Sequence, residues 1–287
     1  MNPPHLLIIG CGDIGTRVGL QLAELGWQVS AVRRQIDHLP VAFDTYRGDY
    51  TVDGGLASVA PLRPDWCLFT PLPDGRDLPG YQRGFRDSID RIAATGVLEK
   101  VQRLFYVSST RVYAEQSGGW VDEASPLTQT DPLGAAIAEG EARCTGTVPT
   151  TVIRPAGIYG DMPGMPLNRV ADGQRSGNPE RWSNRIHRAD LAGLIAHLFP
   201  RAVEGAALPD IINAADDAPT PIGDIEDWLS AQLGVSLEHT TPASSRGHRR
   251  VRNQRLRDSG YALRYPDWRS GFERQLAQRA RTVATGA

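Results

Sequence analysis

Short apolar or β-rich stretches alternate with amphipathic stretches along most of the chain. In most of the apolar stretches, residues that prefer strands follow one another with few polar positions between them, which is typical of strands buried in a sheet. Seven such stretches predict strands, at residues 6–9, 28–32, 43–49, 66–70, 104–108, 151–154 and 211–213.

The segments between several of these strands repeat apolar residues at a spacing of three or four, as one face of a helix does. Ile14, Val18, Leu22 and Leu25 form the first such stripe, and Gly26 follows it where a helix commonly ends. Alternating strands and helices predict an α/β fold, a Rossmann-type doubly wound parallel sheet with helices on both faces. Further helices are predicted at residues 85–93, 133–144, 187–199 and 225–233.

Three glycines between the first strand and the first helix have the spacing G-x-G-x-x-G. The first glycine permits a tight turn, the second lets the backbone approach a pyrophosphate, and the third allows the helix to pack closely on the strand. The unpaired N–H groups of the helix N-terminus favour an anion at the same place. The pattern therefore predicts a dinucleotide site formed by Gly10, Cys11, Gly12, Asp13, Ile14 and Gly15.

Two arginines, Arg33 and Arg34, follow at the end of the second predicted strand. A site for NAD usually has an acidic residue there, about 20 positions after the glycines, which accepts hydrogen bonds from the ribose hydroxyls. A carboxylate would repel the 2′-phosphate of NADP, whereas two guanidiniums would hold it through charge-assisted hydrogen bonds. We therefore predict NADP(H) as the cofactor and NAD(H) as the weaker alternative; the competing interpretation is a solvated arginine pair.

The composition changes after residue 160. Residues 160–184 are rich in Gly, Pro, Asn and Arg, which suits an irregular segment that covers a bound molecule. The predicted helix at residues 225–233 would complete a smaller lobe. We assign residues 1–160 and 185–216 to a dinucleotide-binding domain, and residues 161–184 and 217–287 to a smaller C-terminal substrate-binding lobe.

The 287 residues have nearly balanced charge, with 31 Lys and Arg against 33 Asp and Glu and a formal net charge of −2. This balance argues against a nucleic-acid partner. One local basic cluster is the exception, and we interpret it as a solvated or substrate-facing segment. It comprises Arg246, His248, Arg249, Arg250, Arg252, Arg255 and Arg257.

No apolar run has the length of a membrane span, and the N-terminal residues lack a leader pattern, so we predict a cytoplasmic protein without membrane contact. Cys11, Cys67 and Cys144 are widely separated and lack metal-ligand spacing, so neither a disulfide framework nor a metal site is expected. The predicted partner is a small-molecule substrate, and the sequence leaves a homodimer open.

Five segments match a set of motifs in the same order along the chain. They are Tyr-Val-Ser-Ser-Thr-Arg-Val-Tyr at residues 106–113, Arg-Pro-Ala-Gly-Ile-Tyr-Gly at 154–160, Asn-Arg-Ile-His-Arg-Ala-Asp-Leu at 184–191, Ile-Asn-Ala-Ala-Asp-Asp-Ala-Pro-Thr at 212–220, and the pairs Arg-Asn, Arg-Leu and Gly-Tyr between residues 252 and 261. Together they resemble the motifs of the extended short-chain dehydrogenase/reductase family, the NAD(P)-dependent epimerase/dehydratases. The resemblance covers nearly the whole chain and implies a nicotinamide cofactor.

In that family, a Tyr-x-x-x-Lys pair assists hydride transfer. The tyrosine passes a proton to or from the substrate oxygen, while the lysine holds the ribose and favours the tyrosinate. The resemblance places Leu133 at the position of the tyrosine and Ile137 at the position of the lysine. Because neither side chain carries a transferable proton or a charge, the chain resembles an atypical member of the family.

Four residues are candidates for catalysis. Ser109 corresponds to the family's hydroxyl on the substrate oxygen; alternatively, it bonds to the backbone at the strand end. Tyr113 and Tyr159 are the nearest replacement acids in the sequence, although each matches a position that is usually packing in the family. His187 is of the residue type best suited to proton transfer near neutral pH, although its family counterpart orders the loop between the lobes.

Further residues are predicted to bind the cofactor or the substrate. Asp49 resembles the family's third-strand acidic residue that contacts the adenine, or it is a loop aspartate. Thr70, Pro71 and Ser108 lie at the ends of the fourth and fifth predicted strands, where we expect the cofactor. The predicted substrate-binding residues are Ser109, Thr110, Asn168, Arg169, Arg175 and Trp182.

These patterns favour an NADP(H)-dependent oxidoreductase, specifically a reductase of a small or nucleotide-linked carbonyl or imine. The missing Tyr-x-x-x-Lys pair favours the alternative of an NADP(H)-binding protein that does not turn over and reports the cofactor state to a partner. The third hypothesis is a nucleotide-sugar epimerase or dehydratase. It ranks third because such an enzyme oxidises a hydroxyl and needs an efficient base, and the chain lacks the Tyr-x-x-x-Lys pair.

Overall fold

The computed structural model describes residues 3–161, 164–243 and 247–285. Arg246 of the predicted basic cluster lies outside the described residues, as do residues 162–163, 244–246 and 286–287 of the predicted substrate lobe. The strands are β1 (His5–Ile9), β2 (Gln28–Arg33), β3 (Asp44–Arg47), β4 (Trp66–Phe69), β5 (Arg103–Val107), β6 (Trp120–Val121), β7 (Thr150–Pro155), β8 (Gly157–Tyr159), β9 (Gln174–Arg175), β10 (Trp182–Ser183), β11 (Arg185–His187), β12 (Ile211–Ala214), β13 (Thr220–Pro221), β14 (His239–Thr240) and β15 (Arg250–Val251).

Helices connect most strands of the central sheet. A π turn at Gln82–Arg86 joins the second and third helices, and 3₁₀ turns lie at Ala57–Val59 and Thr110–Val112. The helices are α1 (Asp13–Glu24), α2 (Leu78–Tyr81), α3 (Asp87–Ala94), α4 (Pro132–Thr147), α5 (Leu167–Ala171), α6 (Arg188–Val203), α7 (Ile222–Leu233), α8 (Gln254–Asp258) and α9 (Trp268–Thr285).

The central sheet has seven parallel strands in the order β12-β7-β5-β4-β1-β2-β3. The order reverses at β1, since the chain moves outward to β3 and then returns to place β4 on the other side of β1. In such a sheet, ligands bind outside the carboxyl ends of the strands at the reversal. The sheet confirms the predicted α/β, Rossmann-type doubly wound fold.

Both faces of the sheet are covered, which explains the continuous apolar run of β1. Leu6 and Ile8 pack in one apolar cluster with residues of α1 and α6. Leu7 and Ile9 pack on the opposite face with residues of α3 and α4. All four side chains are fully buried, as expected for the central strand of a parallel sheet between two helix layers.

A third apolar cluster lies apart from the sheet and joins α5, α7 and α9. Leu167, Ile225, Leu229, Trp268 and Phe272 are among its buried members. All five belong to the part of the chain that we assign to the substrate lobe; the boundaries between the two parts stay a prediction. Within the described ranges, none of the helices combines the length and apolar character needed to cross a membrane.

Candidate functional site

The glycine turn lies at the carboxyl end of β1, where the strand order reverses. Gly10 has a φ of 76°, and a Cβ there would come 2.8 Å from the carbonyl oxygen of Thr70. A Cβ on Gly15 would come 2.9 Å from Ile8, so this glycine sets the close packing of α1 on β1. At Gly12 the corresponding space is open, with the Gly10 oxygen 3.8 Å away as the nearest atom. The open space at Gly12 fits a ligand that approaches the backbone.

The N-terminus of α1 has the features of an anion-binding site. Gly12 is the N-cap and has no side chain to bond the first N–H groups of the helix. The carboxylate of Asp13 would oppose an anion there, but Arg17 and Arg188 contact it at 2.9 and 2.8 Å. The ion pairs reduce that repulsion, so the turn and helix fit the pyrophosphate of a dinucleotide.

A cavity of about 410 Å³ opens beside this turn. We call it the glycine-turn cavity; it is lined by Gly10, Cys11, Gly12, Arg33, Arg34, Gln35, Gly48, Asp49, Tyr50, Thr51, Leu72, Pro73 and Asp74. Six of the predicted cofactor residues therefore come together here. Thr70 stabilises the turn, because its hydroxyl donates to the Gly10 oxygen at 2.6 Å. Pro71 is buried and connects Thr70 to Leu72, which lines the cavity.

Two charged side chains in the glycine-turn cavity differ in how firmly they are held. The guanidinium of Arg34 is 69% exposed and lies 4.0 and 3.8 Å from the carboxylates of Asp49 and Asp74. One oxygen of Asp49 instead accepts hydrogen bonds from the N–H and hydroxyl of Thr51, at 2.9 and 2.6 Å. Asp49 is thus fixed in its loop, whereas the exposed side chain of Arg34 is held by longer contacts. Burial raises the pKa of the Cys11 thiol to about 11, so this thiol stays protonated at neutral pH.

A second cavity, of about 380 Å³, lies where the carboxyl ends of β5 and β7 meet the smaller lobe. We call it the arginine cavity, because its lining contains five arginines and no carboxylate. Of the predicted substrate-binding residues, Ser109, Thr110, Arg169 and Trp182 line it, whereas Asn168 and Arg175 do not. The lining residues are Tyr81, Ser109, Thr110, Arg111, Ala156, Gly157, Ile158, Met165, Pro166, Arg169, Arg181, Trp182, Ser183, Asn184, Arg185, Ile222, Gly247 and Arg249.

Two of these arginines, Arg185 and Arg249, are buried, and burial is costly for a charge. Arg185 lies over the rings of Tyr159 and Phe272, at 5.9 and 5.4 Å, and its Nε has no hydrogen-bond partner among the described residues. Burial lowers the pKa of Arg185 to about 10, with the Asp216 carboxylate acting in the opposite direction, so the side chain remains charged at neutral pH. Arg249 donates to the Thr110 carbonyl oxygen at 2.5 Å, and burial lowers its pKa as well. The arginine cavity therefore favours an anionic ligand.

Behind β5, a buried polar network holds two of the predicted site residues. The hydroxyl of Ser108 donates to Glu141, whose carboxylate also receives two hydrogen bonds from Arg154, at 2.9 and 2.6 Å. Arg154 donates to the hydroxyl of Tyr113 at 3.1 Å, and that hydroxyl donates to Asn213 at 2.6 Å. Ser108 and Tyr113 line neither cavity, because their side chains point into this network.

The side chains of Tyr159 and His187 are also buried outside both cavities. Tyr159 packs in the apolar cluster of the smaller lobe, and its hydroxyl donates to the Asp267 carbonyl oxygen at 3.4 Å. His187 caps α6, since its Nδ1 accepts a hydrogen bond from the Ala189 N–H at 3.2 Å, and its ring lies 3.9 Å from that of Tyr265. Burial lowers the pKa of His187, which keeps the ring neutral at neutral pH.

Solved structures provide the comparisons for this arrangement. A candidate NAD-dependent epimerase/dehydratase from Methylobacillus flagellatus is 28% identical, with a TM-score of 0.79 over 98% of this chain and 100% of that chain. UDP-glucose 4-epimerase from Thermotoga maritima, solved with UDP-glucose, is 14% identical, with a TM-score of 0.82 over 97% of this chain and 99% of that chain. MoeE5, solved with UDP-glucose and NAD, is 20% identical, with a TM-score of 0.77 over 97% and 99%. No protein-family model and no curated protein matches the chain.

The chain resembles the NAD-dependent epimerase/dehydratases. This confirms the resemblance that the five motifs predicted. The two structures with the lower identities share the fold over 97% of this chain.

The resemblance places Leu133 and Ile137, near the start of α4, at the positions of the family's tyrosine and lysine. Ile137 is buried in the apolar cluster on the α3 and α4 face of the sheet, and Leu133 does not line the arginine cavity. Asp131 caps α4 by accepting from the Leu133 N–H at 3.2 Å, and its carboxylate also receives two hydrogen bonds from Arg111, at 2.6 and 3.0 Å. A fixed arginine from the motif after β5 therefore lies beside the helix that carries the tyrosine and lysine in the family.

Tyr81 and Arg111 were not among the site residues predicted from the sequence. Both line the arginine cavity together with Ser109, and Arg111 Nη1 lies 3.5 Å from the Tyr81 hydroxyl. A signal for Arg111 was present, since it stands two positions after Ser109 in the family motif. No sequence pattern pointed to Tyr81. The π turn that follows it interrupts the regular spacing of apolar residues by which a helix is recognised in a sequence.

Proposed function

We propose that the protein is an NADP(H)-dependent oxidoreductase that reduces a carbonyl or imine in an anionic substrate, either small or nucleotide-linked. The observation that carries the proposal is the pair of cavities at the carboxyl ends of the strands. One fits a dinucleotide, and the other has five arginines and no carboxylate in its lining, although Arg111 and Arg169 pair with Asp131 and Glu226 outside that lining. Bound NADPH would supply the hydride, while the chain would hold the substrate's anionic group and orient its reacting atom.

The residues of the glycine-turn cavity would hold the cofactor. The open space at Gly12 and the N–H groups of α1 suit the pyrophosphate, and Arg33 and Arg34 suit the 2′-phosphate. Arg34 can supply a fork of N–H donors without leaving a short ion pair, because its distances to Asp49 and Asp74 are 3.8 Å or more. NADP(H) is thus favoured over NAD(H).

Replacing Arg33 and Arg34 together with serine should raise the Kd for NADPH and leave the Kd for NADH nearly unchanged. Each charge-assisted hydrogen bond is worth about 1.5 to 3 kcal/mol, so we expect at least a tenfold loss per contact. The measurement is a titration of both cofactors followed by fluorescence. Arg63→Ser is the matched control, because among the described residues Arg63 bonds to the loop carbonyls of Ala60 and Leu62 and lies outside the glycine-turn cavity. Equal affinity of the unmodified protein for both cofactors would contradict the assignment.

The anionic substrate class follows from the arginine cavity. A buried guanidinium is stabilised most by an anion that supplies both a negative charge and hydrogen-bond acceptors, such as a phosphate or carboxylate. The UDP-glucose in two of the compared structures makes nucleotide-linked compounds a reasonable part of the test. An epimerase or dehydratase also fits the compared structures, but the resemblance places Leu133 and Ile137 at the positions of the family's proton-transferring tyrosine and ribose-holding lysine.

Loss of NADPH absorbance tests the proposal. The panel pairs neutral carbonyls and imines with phosphorylated, carboxylated and nucleotide-linked counterparts. We expect turnover with at least one anionic member and little with its neutral counterpart. Tight NADPH binding without turnover of any panel member would instead support the non-catalytic, cofactor-sensing alternative.

A further inference from the structure

We propose that Tyr81 donates the proton to the substrate and that Arg111 stabilises the resulting tyrosinate. The pair would replace the family's tyrosine and lysine from different elements of the fold. The proposal rests on the reductase function proposed above. It is carried by the contact between the two side chains and by their position in the arginine cavity.

Tyr81 is held by a rigid backbone. Asp77 caps α2 by accepting from the Gly80 N–H at 3.0 Å. A Cβ on Gly80 would come 2.7 Å from the Gly75 Cα, and one on Gly84 would collide with the Leu72 carbonyl oxygen. The helix backbone therefore packs directly on the loop that lines the glycine-turn cavity, while the Tyr81 ring lines the arginine cavity. This places Tyr81 on the element that connects the two cavities.

The π turn at Gln82–Arg86 follows Tyr81 immediately. Such turns disturb the regular progression of side chains around a helix and are frequent at functional sites. Here the turn connects Tyr81, which lines the arginine cavity, to Phe85, which is buried in the core. The two rings stack with centroids 5.6 Å apart, which further restricts the Tyr81 side chain.

Arg111 is oriented as a cation for this hydroxyl. Its Nε and Nη2 atoms bond to the two oxygens of Asp131, which leaves Nη1 at 3.5 Å from the Tyr81 oxygen. Its Cζ lies 5.6 Å from the centroid of the Tyr81 ring. A guanidinium remains protonated throughout a reaction, so it can stabilise the negative charge that develops on the tyrosine oxygen. Asp131 acts here as a positioning residue.

Few other groups in the cavity could release a proton. Of the lining residues, the arginines retain theirs, and the hydroxyls of Ser109, Thr110 and Ser183 are much weaker acids than a phenol. Tyr113 and Tyr159 point elsewhere, as described above. Tyr81 is therefore the best acid available to a substrate in the arginine cavity.

A carbonyl carbon that has received a hydride leaves one negative charge on its oxygen. The O–H bond of Tyr81 breaks, its proton forms the new O–H bond of the alcohol, and the electron pair stays on the Tyr81 oxygen beside Arg111. A proton from the solvent then returns to the Tyr81 oxygen, so each turnover consumes one hydride from NADPH and one solvent proton. For an imine the same proton goes to nitrogen.

The first test compares Tyr81→Phe with Tyr46→Phe, which alters a tyrosine on β3 outside both cavities. With the best panel compound, we expect kcat to fall about 100-fold to 10,000-fold in Tyr81→Phe, as for other positioned acids, with little change in KM. Arg111→Lys should retain more activity than Arg111→Gln, because it keeps the charge. Ser109→Ala should have the smaller effect of an orienting hydroxyl. A Tyr81→Phe variant within threefold of the unmodified protein overturns the proposal and leaves the reductase function intact.

The second test does not depend on turnover. In protein labelled with ¹³Cζ-tyrosine, the NMR signal that is missing in Tyr81→Phe identifies Tyr81. We expect saturating NADP⁺ to shift this signal, since the acid must lie beside the reacting end of the cofactor, and we expect Arg111→Gln to shift it without cofactor. A Tyr81 signal that NADP⁺ does not move overturns the assignment, whether or not a substrate has been found. If NADPH binds but the unmodified protein reduces nothing in the panel, the proposed function fails instead.

Discussion

Gly12→Val should abolish detectable NADPH binding while the protein keeps its fold. A Cβ at this position would meet nothing closer than the Gly10 oxygen at 3.8 Å, and the φ of −89° lies in a region open to valine. The fold therefore has room for the side chain. The branched methyl groups would instead occupy the space that the pyrophosphate needs, so we expect an increase in Kd of about 100-fold or more, equivalent to about 2.7 kcal/mol.

The measurement combines fluorescence titration with NADPH and thermal unfolding followed by circular dichroism. Gly146→Val is the matched control, because Gly146 also faces open space but lies at the far end of α4. Gly15→Val provides the opposite case, since a Cβ there would come 2.9 Å from Ile8 and should lower stability as well as binding. Unchanged NADPH titration of Gly12→Val would mean that the nucleotide binds elsewhere.

The parts of the site that could be predicted from sequence are those in which local spacing determines geometry. Gly10, Gly12 and Gly15 lie within one turn, and each has the environment that its position in the motif required. Arg33 and Arg34 follow directly from the end of β2, so strand periodicity was enough to place them beside that turn. The parallel sheet with helices on both faces follows similarly from the alternation of strands and helices, whereas the order of its strands does not.

The roles of residues in long-range contacts could not be predicted in this way. From the sequence, Tyr113 was a candidate acid. In the structure its hydroxyl bonds to Arg154 and Asn213, which lie 41 and 100 residues further along the chain. The sequence does not show which of several polar residues meet behind the sheet. Helix α9 also lacked a signal, because its core contacts come from a few residues such as Phe272.

The buried network behind β5 should be the most sensitive polar element for stability. Arg154 is 2% and Glu141 7% exposed, and their carboxylate–guanidinium contact is 2.6 Å. Removing one member leaves the other as an unpaired buried charge, so Arg154→Met should lower the free energy of unfolding by about 3 to 5 kcal/mol. In that variant Glu141 would still accept from Ser108, but Tyr113 would lose the donor that holds its oxygen.

Urea unfolding of four proteins separates charge burial from loss of packing. The double variant Arg154→Met with Glu141→Met should recover much of the lost stability, because it removes both charges and retains apolar volume. Arg257→Met breaks an exposed pair with Asp217 and should cost no more than about 1 kcal/mol. If Arg154→Met were no more destabilising than Arg257→Met, the network would contribute little to stability. Ser109 and Arg111 follow Ser108 within three positions, so a loosened network should also disturb these residues in the lining of the arginine cavity. Arg154→Met should therefore reduce substrate turnover more than it reduces the affinity for NADPH.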